Sequence, residues 1–104
     1  MTDAAGTQAL KDAIRRMHGC DSHWIESVPV HETHEGQTVW QGDVQVFDLV
    51  DHPQAQRAYA WSHATKGMRR QFHAVLHLPP VDGPAMAVKT ALYAEYQRLQ
   101  KTKN

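Results

Sequence analysis

Four stretches of this chain alternate apolar and polar side chains with period two, and that repeat constrains the fold more than any other feature. Successive residues of a strand point to opposite faces, so alternation of this kind describes a sheet with one face to bury. Trp24 to Thr33 alternates loosely, with Trp24, Val28 and Val30 on one parity. Pro29 cannot donate to a ladder, which puts this strand at an edge or a bulge. Val39 to Val50 is clearer: Trp40, Val44 and Val46 share a face, while Phe47 and Leu49 break the parity. A β-bulge near Val46 would bring both sets to one core. Arg57 to His63 sets Tyr59, Trp61 and His63 against Ala58, Ala60 and Ser62. Arg70 to Leu78 sets Phe72, Ala74, Leu76 and Leu78 against Gln71, His73, Val75 and His77, and Pro79-Pro80 stops it.

Helical spacing brackets these strands. Thr7 is placed to cap a helix running to about His18, with Leu10, Ala13, Ile14 and Met17 on one face and Gly19 at the C′ position. Asp82-Gly83-Pro84 opens a second helix to about Lys101, expected to bury Val88, Leu92, Tyr96 and Leu99 with Ala91 between them. Glu35-Gly36-Gln37 reads as the turn of a first hairpin, and Asp51-His52-Pro53 closes it. Residues 53–66 fit two readings. As a helix they would have Asp51 as cap and Gly67 at the end, giving the order α-β-β-α-β-α. But Tyr59 and Trp61 would then sit about 200° apart, whereas a strand puts them on one face. The strand reading is preferred. It gives an α+β fold of order α-β-β-β-β-α, a four-stranded antiparallel meander of two β-hairpins flanked by an N-terminal and a C-terminal helix, both on one face. A chain of 104 residues makes one domain, with 1–6 and 102–104 expected to fray.

Charge is divided along the chain. Between Met17 and Gln56 there is no lysine or arginine but seven carboxylates, whereas eight basic residues face two acidic ones from Arg57 onward. The formal net charge is +0. Such polarity bears on association and steering rather than on fold. No apolar run approaches the ~20 residues of a membrane-spanning helix. The N-terminus lacks the basic and apolar regions of a signal peptide, and Cys20 is the only cysteine, so the expected setting is cytoplasmic with no membrane contact.

The register of the second hairpin decides what its strands display. An even pairing sum sets Trp61 beside His73 and Tyr59 beside Val75, and an open face then holds Arg57, Tyr59, Trp61, His63, Gln71, His73 and His77 as a binding surface for a ring ligand, a base or another protein. An odd sum sets Tyr59 and Trp61 beside Phe72 and Leu76 in the core, which is the commoner place for aromatics and the register preferred here. Lys66, Arg69 and Arg70 cluster in the hairpin loop as anion or nucleic-acid candidates, with Arg57 nearby. The helix–sheet–helix order resembles the layout of a double-stranded-RNA-binding domain. That fold has three strands and a lysine-rich start to its last helix, which Pro84-Ala85-Met86-Ala87 does not supply. Seven carboxylates on the first hairpin also oppose phosphate binding.

Other constellations carry less. His18, Cys20 and His23 offer nitrogen and sulfur ligands, but their spacing matches no standard zinc pattern, so no metal or other cofactor is assigned. His31 and His34 fall on opposite faces of a continuous strand. No glycine-rich phosphate loop, nucleophile elbow or catalytic set is present, and enzyme activity is not expected. The reading is a small soluble binding or self-associating module, a homodimer through an open sheet face or strand edge, with a protein partner as a variant of the same idea. Nucleic-acid binding through the basic second hairpin, and a ligand-binding or enzymatic His/aromatic pocket, are the alternatives.

Overall fold

The computed structural model describes residues 4–64, 67 and 69–102, with side chains described for 6–64, 67 and 69–97 of these. Lys66 lies outside the described residues. The order is α1 (Ala4–His18), β1 (Ser22–His34), β2 (Gln37–Leu49), β3 (Arg57–Ala64), β4 (Arg70–Leu76) and α2 (Pro84–Thr102). The strands form one antiparallel sheet in the order β1-β2-β3-β4, the expected meander. Residues 57–64 are strand, so the helical alternative for 53–66 falls.

Turns form where backbone chemistry demands them. Glu35 (φ 53°) and Gly36 (φ 79°) both take positive φ between His34 and its partner Gln37, the conformation a two-residue hairpin loop requires. Gly19 (φ 71°) ends α1 with its N–H on the Arg15 carbonyl at 2.8 Å, as a C′ glycine does. Between β2 and β3, the His52 ring acts as a cap: its Nδ1 accepts from the backbone N–H groups of Gln54 and Ala55 at 3.1 and 3.0 Å.

The two helices lie on opposite faces of the sheet, not on one. Leu10 and Ile14 of α1 pack with Phe47, Ala60, Phe72 and Ala74. Ala87 and Val88 of α2 pack with Val44, Val46, Tyr59 and Trp61. This explains the broken parity of β2. Val46 and Phe47 pair in unbroken register with Tyr59 and Ala58, so they face opposite sides, and each side has its own core. The irregularity at Val46 lies on the partner strand: β1 shifts register between Trp24 and Glu26, opposite Phe47 and Val46, while β2 itself runs on unbroken there, and a second shift falls between Glu32 and Thr33.

Three helix details differ from the sequence pattern. Helix α1 starts at Ala4, so Thr7 is inside it rather than its cap. Met17 is 46% exposed, because the face that meets the sheet ends at Ile14. Tyr96 is 59% exposed, since the α2 residues packed on the sheet are Met86, Ala87, Val88, Ala91 and Leu92; the Leu99 side chain lies outside the described residues.

The ladder between β2 and β3 has only four residue pairs, from Asp48–Arg57 to Gln45–Ala60. Beyond Gln45 the strand β2 continues with β1, and beyond Ala60 the strand β3 continues with β4. The sheet therefore forks, with Trp61 as the first residue past the junction. No helix among the described residues is long and apolar enough to cross a membrane.

Two substitutions separate core from surface. Phe47 is fully buried on the α1 side, so Phe47→Ala should cost about 3–5 kcal/mol in urea unfolding, whereas Met17→Ala should stay within about 0.5 kcal/mol.

Candidate functional site

The second hairpin takes the even register: Tyr59 pairs with Val75, Trp61 with His73 and His63 with Gln71. The odd register is therefore corrected, but the face it leaves is not open. Helix α2 covers it, and Tyr59 and Trp61 are each only 3% exposed. Even register and burial coexist because each face of the sheet has a helix.

The seven candidates for the binding face divide into two groups. Near the closed end, Arg57 pairs with Asp48 at 3.2 Å, across the β2–β3 ladder. The Tyr59 hydroxyl lies 2.6 Å from His77 Nδ1. Burial, with Asp82 adding to it against Arg57, pushes the Tyr59 phenol above its ordinary range, so it stays protonated and donates to His77. These three residues are structural here.

At the forked end, Trp61, His63, Gln71 and His73 line a cleft of about 560 Å³ under α2. Its other walls are Trp40 and Gln41 from β2, and Val88, Ala91, Leu92 and Glu95 from α2. The rings form a row. Trp40 meets Trp61 edge-on with centroids 6.0 Å apart, His73 stacks on Trp61 at 5.1 Å, and His63 stacks on His73 at 5.1 Å. Offset and edge-on contacts of this kind are favoured by the ring quadrupoles. Trp40 reaches Trp61 because Gly42, two residues along the same face, leaves it room. A Cβ on Gly42 would stand 3.1 Å from the Trp40 ring.

The Nε2 atoms of His63 and His73 are 3.1 Å apart, so the Nε2–H of one ring donates to the bare Nε2 of the other. Burial is the main cause holding His73 below the usual imidazole range, His63 adds to it, and Glu95 on α2 opposes both. The cleft thus presents rings, two amides, one imidazole pair and one carboxylate. Among the described residues its lining includes no serine, threonine, cysteine or lysine.

The remaining candidates are dispersed. Arg70 donates to Ser62 Oγ through Nε and Nη2 at 3.1 and 3.0 Å, and Arg69 lies exposed beside it. His18 donates Nε2–H to the Ala74 carbonyl at 2.8 Å, capping an outward backbone group of edge strand β4. Cys20 is half-buried, and burial with the Asp21 charge raises its thiol. His23 is exposed. Among the described residues no group of three or more His, Cys, Asp or Glu side chains is gathered to hold a metal ion. Sequence reasoning missed Trp40, Gln41 and Glu95 as site residues. Glu95 is the one carboxylate after Asp82, a signal visible in the sequence, but only the fork brings Trp40 across.

Comparison with protein-family models, with curated proteins and with solved structures finds no match to this chain.

Two predictions follow from the geometry. Since the His73 pKa is lowered on folding, the unfolded chain binds the extra proton more readily. Stability is then full above the ordinary imidazole value of 6.5 and falls as pH drops through it toward the lowered folded value. Urea midpoints at pH 5 and pH 7.5 should show this loss, and His73→Gln should reduce it. Gly42→Ala should displace the Trp40 ring, seen as loss of Trp40–Trp61 proton contacts by NMR, with stability held within about 1 kcal/mol.

Proposed function

We propose that this chain is a small binding domain whose contact site is the forked cleft under α2, and that its ligand is a planar polar ring. The observation that carries this is the row of rings from Trp40 through Trp61 and His73 to His63, flanked by Gln41, Gln71 and Glu95. Aromatic walls offer stacking, and the amides, imidazoles and carboxylate offer donors and acceptors in the plane of a ring. The volume fits a small heteroaromatic molecule of nucleobase size. Among the described residues no arginine or lysine lines the cleft, which favours a base-like ring over its phosphorylated form.

The nucleic-acid reading has less support: Arg57 is neutralised by Asp48, and Arg70 is engaged by Ser62. Self-association is a second reading, favoured by the exposed apolar residues Trp24, Ile25, Val39, Tyr93 and Tyr96, which neither helix covers. Edge pairing fits it poorly. Edge strand β1 carries Pro29 and an irregularity beside Ile25, both devices that discourage strand addition. A reducing, cytoplasmic setting suits the single free cysteine.

Titration with adenine, indole and imidazole, followed by tryptophan emission and the His73 ring signals, tests the cleft. Saturable binding of at least one ring is expected, weakened about tenfold by Trp40→Ala. A flat response to all three contradicts the proposal. Sedimentation at low and high salt tests self-association, which salt should weaken if the divided charge drives it.

A further inference from the structure

The chain has eight histidines, and several of them serve the fold through one ring nitrogen. His18 caps the Ala74 carbonyl, His52 caps the turn between β2 and β3, and His77 takes the Tyr59 hydroxyl. His63 and His73 are placed differently. They are diagonal neighbours on one face of the second hairpin, because His63 pairs with Gln71 and His73 with Trp61. Their ring nitrogens meet each other, Nε2 to Nε2 at 3.1 Å.

That separation is close to what two imidazoles sharing one metal ion need. Nitrogens bound at about 2.05 Å to a tetrahedral ion stand about 3.3 Å apart. His73 is half-buried and stacked on Trp61 with ring planes 17° apart, so one ligand is fixed in advance. His63 is exposed, and turning its ring about χ2, a soft torsion, aims its lone pair at the same point. Both rings must then carry their proton on Nδ1. For His63 an acceptor is in place, since the Ala64 carbonyl lies 3.4 Å from its Nδ1. Metal-binding histidines characteristically donate the second ring N–H to such a carbonyl. A neutral imidazole moves its proton between nitrogens without net loss, so the ion replaces the N–H···N bond and releases nothing.

The surroundings suit a cation. Burial keeps the His73 ring uncharged at neutral pH, and Glu95 of α2 lines the same cleft with its charge acting on His73. We infer that His63 and His73 together bind a divalent transition-metal ion of the zinc, nickel and copper class at the outer end of the ring row, with water completing its coordination. Imidazole nitrogen suits these ions, whereas magnesium and calcium take oxygen ligands. Two protein ligands with open positions make an exchangeable site rather than a structural one. The ion sits beyond Trp61 and leaves the Trp40–Trp61 wall to a ring, so this site goes beyond ring binding and does not require it.

The test adds zinc chloride to the metal-free full chain, with no ring compound present, and follows the histidine ring protons by NMR. The His63 and His73 signals should shift together and saturate at about one equivalent, ahead of the other histidines. The Trp61 ring signals should follow, because His73 lies against them. Millimolar magnesium should move neither histidine. His63→Gln should weaken binding of the first equivalent by about tenfold or more, while His23→Gln, at an exposed histidine outside the cleft, should leave it unchanged. Since His63 is exposed, its replacement should preserve the far-UV spectrum. His63 and His73 signals that stay still as zinc is added overturn the inference. So does a first equivalent that settles on other histidines, or one whose affinity His63→Gln does not change. Either failure leaves ring binding untouched, since adenine and indole are titrated without metal.

Discussion

The short ladder between β2 and β3 is the feature on which the rest of the structure depends. Four residue pairs join the two hairpins, and past Gln45 and Ala60 each hairpin continues alone. In the paired region the alternation of β3 sorts its side chains cleanly. Ala58 and Ala60 lie on the side of α1, and Tyr59 lies on the side of α2. Small residues let α1 approach, and large ones fill the space beneath α2. Where the ladder stops, neither helix can seal the gap, and Trp61 stands at the mouth of a cleft on either side.

The two clefts differ because the strands that frame them differ. On the α2 side the second hairpin contributes histidines and the first contributes Trp40, so the opening is lined with rings. On the α1 side the first hairpin dominates, and among the described residues Asp43 has no ion-pair partner there. The division of charge along the sequence is thus partly answered inside the fold. Arg57, Arg15 and Lys89 each reach back to a carboxylate of the acidic hairpin, at separations of 3.2 to 3.8 Å. The Arg15–Asp21 pair is exposed and contributes little to stability, whereas Glu32 is buried and takes its cation from Lys89 on α2.

The order of elements was legible because alternation and capping are local: Gly19, Gly36 and Pro84 mark boundaries by backbone chemistry alone. The placement of helices was not. Val46 and Phe47 are adjacent and both apolar, which a one-sided core can accommodate only through a bulge. A sheet covered on both faces needs none, but nothing local distinguishes the two cases. The same ambiguity led to the odd register for Tyr59 and Trp61, because burial was tied to one face. Of the binding candidates, Trp61, His63, Gln71 and His73 were recognisable from their shared parity. Trp40, Gln41 and Glu95 were not, since their proximity depends on where pairing between the hairpins ends, which strand periodicity does not encode.

Backbone proton contacts across the strands test the fork most directly. The His77 N–H bonds to the Arg57 carbonyl, so Ala58–Leu76, Ala60–Ala74 and Ser62–Phe72 are the closely spaced pairs of the second hairpin. Nuclear Overhauser contacts between the α-protons of Ala60 and Ala74 and of Ser62 and Phe72 are expected. Cross-strand contacts between β2 and β3 should reach Gln45–Ala60 and be missing between Asp43 and Ser62. Contacts joining Asp43 to Ser62, or pairing Trp61 with Phe72, would contradict both the fork and the ring row built on it.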